Sequence, residues 1–140
     1  MMRSPIRLAV LVGAFATFAS CGGGDAGTGV RASVTGTYQL STVNGQPLPF
    51  TENSTGAVVK VTAGQLVAQS DGAFTETLTK ATTPPGGATT TASVVSSGTY
   101  TVGNQVIVFT YSGNASTALG SLTNSGVSIQ NGPNSFDYKK

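Results

Sequence analysis

Histidine and tryptophan are missing from the chain altogether, and cysteine occurs once, at position 21. Without histidine there is no Ser–His dyad and no imidazole ligand for a metal. A single cysteine cannot close a disulfide within the chain. Charge is scarce: seven basic and five acidic residues make up 9% of the sequence. Nucleic-acid binding needs a dense positive stripe that reaches phosphates, and no such stripe is present. The glycine-rich stretches are not phosphate loops, because no Gly-x-x-x-x-Gly-Lys pattern or following helix accompanies them. No run reaches the ~20 apolar residues that a membrane-spanning helix takes. The acids Asp25, Glu52, Asp71, Glu76 and Asp137 are scattered. An active site needs a base, a group that orients it and a pocket together, so the expectation is a non-catalytic protein without metal or cofactor.

What is present begins with a signal. Arg3 and Arg7 precede an apolar stretch from Leu8 to Phe18, and small residues Ala19 and Ser20 lead to Cys21. This is the three-part layout of a secretory signal. The segment Phe18-Ala19-Ser20-Cys21 resembles the lipobox of bacterial lipoproteins, with Phe18 where that pattern prefers an aliphatic residue. The resemblance implies cleavage before Cys21, acylation of its thiol, and residence in the cell envelope on the outer membrane. Two or more acyl chains anchor a protein stably, each buried methylene contributing ~0.8 kcal/mol. Removing residues 1–20 takes away Arg3 and Arg7 and leaves five basic against five acidic side chains, a formally neutral product. Residues 21–33 are Gly-rich and read as a flexible tether. Residues 34–140 suit one domain.

In that domain Val, Thr, Ser and Gly dominate, which favours extended chain and tight turns. Thr35–Val43 alternates, with Tyr38 and Leu40 on one face, and Asn44-Gly45 signals a tight turn. Pro47 and Pro49 interrupt regular pairing. Further strands are expected at 57–62, 65–70, 73–81, 90–102, 105–111, 115–123, 127–130 and 135–139. Turns are expected at Ala63-Gly64, Asp71-Gly72, Gly103-Asn104, Ser112-Gly113-Asn114, Asn124-Ser125-Gly126 and Asn131–Asn134, and an irregular loop around Pro84-Pro85-Gly86-Gly87. Val106-Ile107-Val108-Phe109 is the most apolar run and reads as a central strand covered in part on both faces. Glu76 and Lys80 share the parity of Phe74 and Leu78. Each either faces inward or twists out near a rim. Nine short runs with hairpin-length connections predict an all-β meander, closed into a small up-and-down barrel with 135–139 paired to 35–40, so that no edge is free. An immunoglobulin-like sandwich is the alternative.

Gly36-Thr37-Tyr38-Gln39-Leu40 followed by Val43-Asn44-Gly45-Gln46-Pro47-Leu48-Pro49 resembles the opening of small lipocalin-like bacterial lipoproteins. Asp71-Gly72-Ala73-Phe74, Ser97-Gly98-Thr99-Tyr100 and Phe136-Asp137-Tyr138 fit the same pattern. The resemblance implies a lipocalin-like barrel and carries over no functional residue. Two roles are then open. One is an interaction or structural domain meeting an envelope component, its interior filled by side chains. The other is a carrier for a small apolar ligand, for which Tyr38, Phe74, Tyr100 and Phe109 would be the liners. The partners expected are the membrane, through lipid on Cys21, and such a ligand or an envelope protein, not nucleic acid.

Overall fold

The computed structural model describes residues 33–52 and 54–140. The expected signal, Cys21 and the tether as far as residue 32 lie outside the described residues. Ten strands form: β1 (Gly36–Val43), β2 (Gln46–Pro47), β3 (Phe50–Glu52), β4 (Val58–Ala68), β5 (Ala73–Thr83), β6 (Thr90–Gly103), β7 (Val106–Tyr111), β8 (Thr117–Thr123), β9 (Gly126–Asn131) and β10 (Asn134–Lys139). Every pairing is antiparallel, and from β4 to β10 each strand lies beside its sequence neighbour. The first strand closes the sheet. Its Gly36–Gln39 half pairs with β4, and its Gln39–Val43 half pairs with β10. The product is a closed eight-stranded up-and-down barrel, consistent with a lipocalin-like meander. No helix occurs among the described residues.

The closing pair is staggered relative to the expected one. Leu40 faces Tyr138 and Val43 faces Phe136, so β10 meets the second half of β1 and leaves the first half to β4. Barrel strands are tilted, and closure requires such a shift in register. A bulge between Leu40 and Thr42 takes up the extra residue, Ser41, whose buried hydroxyl has no hydrogen-bond partner. The seam is fastened at one end by Asn44. Its backbone N–H donates to the Ser135 carbonyl at 2.8 Å, its side-chain oxygen accepts from the Ser135 N–H at 2.8 Å, and its amide donates to Asn134. Asn44 and Gly45 have φ of 52° and 72°, the left-handed pair that a two-residue hairpin turn requires. Alongside, the Thr42 hydroxyl donates to the Asp137 carboxylate at 2.7 Å. At the other end, the Lys140 ammonium donates to the Thr35 carbonyl and lies 5.3 Å from the centre of the Tyr38 ring.

Two expectations are corrected. Ala63-Gly64 is not a turn: β4 runs unbroken from Val58 to Ala68, with a bulge between Val61 and Ala63 where Thr62 is extra. Gly64 faces inward there, and a Cβ on it would press into Leu40 and Leu78 at 2.9 Å. Nine runs thus become eight barrel strands, with β2 and β3 as short additions around Pro47 and Pro49. β7 alternates, with Ile107, Phe109 and Tyr111 buried; on its outer face Val108 is half-buried while Val106 and Thr110 are exposed, so that face is covered only in part.

The core lies inside the barrel. Tyr38, Leu40, Val43, Val61, Leu66, Phe74, Ile107, Phe109, Val127, Ile129, Phe136 and Tyr138 are all buried, and Leu48, Phe50, Leu78, Tyr100 and Leu122 pack against them. Glycine makes room for the largest rings. Gly120 faces Phe109, whose ring would lie 2.8 Å from an added Cβ, and Gly98 sits beneath Phe74.

The β5–β6 hairpin is longer than the barrel needs. β5 and β6 pair from Ala73 with Thr99 to Thr82 with Thr90, but β7 pairs only with Gly98–Gly103 of β6. The hairpin therefore continues past the end of β7, capped by a turn in which the Gly87 N–H donates to the Pro84 carbonyl and Gly86 has φ +69°.

Candidate functional site

Alternation places every second residue of β5 inside: Phe74, Glu76 and Leu78. Glu76 lies opposite Leu66 on β4 and Ser96 on β6, and is 5% exposed. A carboxyl group in such surroundings is tolerated only when its oxygens are hydrogen-bonded. The Tyr138 hydroxyl donates to Oε1 at 2.6 Å, and the Tyr111 hydroxyl donates to Oε2 at 3.0 Å. The Asn131 amide in turn donates to the Tyr111 hydroxyl at 3.5 Å. One carboxyl group thereby ties β5 to β7 and β10 across the interior. Burial, with the Glu76 charge and its hydrogen bonds beside them, pushes both tyrosine hydroxyls well above their ordinary value of 10.0. They stay protonated across the physiological range and act as donors. Of the two positions left open for Glu76, the inward one is occupied. Lys80 lies farther along β5, near the rim, where it forms a bidentate ion pair with Glu52 at 2.8 and 2.9 Å.

This cluster backs onto a recess at one barrel mouth. The recess has a volume of about 530 Å³ and is lined by Val95, Ser96, Ser97, Tyr111, Ser112, Gly113, Asn114, Ser116 and Asn131. Its walls are largely hydroxyl and amide. The Asn114 side chain is held by the Ser116 N–H and hydroxyl. A second recess, about 390 Å³, lies along β3 and the start of β4, between Thr51, Glu52, Ser54, Thr55, Ala57 and Val58. Among the described residues no three His, Cys, Asp or Glu side chains come together as a metal site would require.

The four residues singled out as possible ligand liners occupy defined places. The Phe74 and Phe109 rings meet edge to face at 5.0 Å, and Phe74 meets Tyr111 in the same way at 5.2 Å. Tyr100 is half-buried, 6.1 Å from Phe109, with its hydroxyl donating to the Gln69 carbonyl at 2.6 Å. Tyr38 is buried, its hydroxyl donating to the Val34 carbonyl at 2.7 Å, and burial raises its pKa. Phe74, Phe109 and Tyr100 are thus brought together, Tyr38 stands apart beneath Lys140, and none of the four lines either recess. Cys21 lies outside the described residues. Sequence reasoning missed the tyrosine pair on Glu76. The available signal was parity: Tyr111 follows Phe109 by two residues, and Tyr138 follows Phe136 by two.

No protein-family model, no curated protein and no solved structure matches the chain.

Proposed function

We propose that the chain is a bacterial envelope lipoprotein, held on the outer membrane by lipid on Cys21, whose barrel is a non-catalytic interaction domain. The observation that carries this reading is the fate of the aromatics. Tyr38, Phe74, Phe109, Tyr111, Phe136 and Tyr138 are buried in the core, and Phe50 and Tyr100 pack against it. Together they are all the aromatic residues from 33 to 140. A narrow eight-stranded interior has room for side chains or for one small ligand, and here large rings occupy it. The outer surface, the loops and the two open recesses are left to make contacts.

The anchor is tested by feeding cells a labelled fatty acid. The wild-type chain takes up label and Cys21→Ser does not; label on the Ser variant would end the lipoprotein reading. The barrel is tested by titrating residues 21–140, carrying Cys21→Ser, with fluorescent apolar probes and extracted envelope lipids. A contact domain shows no saturable uptake. Saturable binding that weakens in a folded Phe74→Ala variant would instead establish a carrier for a small apolar ligand.

A further inference from the structure

The distal half of β6 is a sheet edge without a partner among the described residues. β5 covers one side of Thr90–Ser97, and the pairing of β6 with β7 begins only at Gly98. The direction of its free groups follows from the bonds around it. In an antiparallel strand the N–H and C=O of one residue point to the same side, and the side alternates. The Ser97 carbonyl accepts from the Ser112 N–H, away from β5, whereas the Tyr100 N–H donates to Gly72, on the β5 side. Odd-numbered residues therefore turn outward, and the backbone groups of Thr91, Ser93 and Val95 face solvent. The side chains here are exposed as well: Val94 is 50% and Val95 64% exposed.

Edges of this kind are normally blunted by charge, proline, a bulge or shortness. The opposite edge of the same extension, β3, has three residues, follows Pro49 and carries Glu52. From Ala88 to Ser97 the β6 edge has no charged residue, no proline and no register shift. It is also self-complementary. Laid antiparallel on a second copy about Ser93, it pairs Thr91 with Val95 and Ser93 with Ser93, always outward-facing residue with outward-facing residue. Each such pair exchanges two N–H···O=C bonds. The same register sets Ala92 beside Val94 on one face and Val95 beside Thr91 on the other, with no charge opposed to charge. It also sets Thr89 of one copy opposite Ser97 of the other.

We propose that Thr91–Val95 is a self-association edge, through which two copies join their β6 strands antiparallel about Ser93 into one continuous sheet. The occupant is a second copy of this chain because the edge matches itself in register, charge and length of free backbone. The proposal stands whether or not Cys21 carries lipid.

Sedimentation of residues 21–140 with Cys21→Ser, over a range of concentrations, tests it; all ten strands and the core of the described residues lie within this segment. The wild-type domain reaches a dimer. Ser93→Pro removes the donor at the two-fold axis from both copies and leaves the β5 pairing intact, since that N–H points away from β5. It weakens the dimer by about tenfold or more. Val95→Lys places like charge at both ends of the pairing and has the same effect without touching the backbone. Val106→Lys alters another exposed valine, on a strand paired on both sides, and leaves the dimer unchanged. Circular dichroism melting shows that each variant is folded. In the same Cys21→Ser background, so that the introduced thiol is the sole one, Ser93→Cys treated with a short bifunctional thiol reagent yields a cross-linked dimer, and Thr101→Cys, on the part of β6 covered by β7, does not. A wild-type domain that stays monomeric at every concentration overturns the proposal, as does a dimer that survives both Ser93→Pro and Val95→Lys.

Discussion

β8 and the distal half of β6 are built from nearly the same residues and come to different ends. β8 reads Thr-Ala-Leu-Gly-Ser-Leu-Thr, and Thr90–Ser96 reads Thr-Thr-Ala-Ser-Val-Val-Ser. Neither has a strong apolar stripe. β8 is paired on both sides, its Ala118 and Gly120 are buried, and Phe109 lies over Gly120. Distal β6 is paired on one side, and every residue from Thr90 to Val95 is exposed. Composition makes both segments strands. What separates them is position: inside the barrel a weak strand is held by its neighbours, and past the barrel's end an equally weak strand keeps an open edge.

The largest effect comes from undoing closure. Deleting residues 135–140 removes Phe136 and Tyr138 from the core and leaves the second half of β1 as a new open edge like that of β6. The expected outcome is loss of the cooperative melt and aggregation, read by calorimetry and size-exclusion chromatography. A shortened chain that stays monomeric with an unchanged Tm would refute the seam as the element that holds the body together. Next is the core. Phe74→Ala empties the space above Gly98 and between Phe109 and Tyr111, at a cost of about 3–5 kcal/mol in urea unfolding.

Third is the buried carboxyl group. Glu76→Ala leaves two buried phenols without an acceptor and costs about 2–4 kcal/mol, while Glu76→Gln keeps one acceptor and costs about 1 kcal/mol. The same cluster sets an alkaline limit. Tyr111 and Tyr138 have folded pKa values raised above the unfolded 10.0. The native state therefore holds their protons where the unfolded chain releases them. Their contribution is fully present below pH 10 and declines as pH rises beyond it. Urea midpoints at pH 8 and pH 11 measure the decline, and Tyr138→Phe makes it shallower. Smallest is the outer strand. Val95→Ala, in the monomer, shifts stability by about 0.5 kcal/mol or less. A loss as large as that of Phe74→Ala would mean that the distal hairpin is not peripheral to the fold.

Much of the fold was legible because its turns are spelled in the sequence. Asn44-Gly45 and Asp71-Gly72 mark hairpins, and the Asp71 carboxylate accepts from the Ala73 N–H as turn chemistry predicts. The inward faces of β1, β5 and β10 follow from the parity of Tyr38, Phe74 and Phe136. Ala63-Gly64 misled because glycine serves a bulge and a close contact as readily as a turn, and what identifies a bulge is its partner strand. The length of β6 is legible in the sequence, whereas the point where β7 stops covering it has no local signal. That boundary depends on cross-strand register, which local pattern does not carry. The Glu76 cluster shows the same limit more sharply. Parity allowed an inward Glu76, yet its acceptors are filled by hydroxyls 35 and 62 residues away. Those distances become contacts only once the barrel has closed with its own stagger.

The divided first strand also has a meaning in time. A chain is made from its amino end, and Thr42 meets Asp137 across 95 residues. The half of β1 from Gly36 to Gln39 has its partner as soon as β4 exists, well before β10 is made. The half from Gln39 to Val43 gains only the two-residue β2 beside Thr42 and Val43 at first, and its long partner β10 must wait for residues 134–139. The first described strand is therefore held early at one end and sealed at the other only when β10 arrives. At no earlier moment of its synthesis is this chain a barrel.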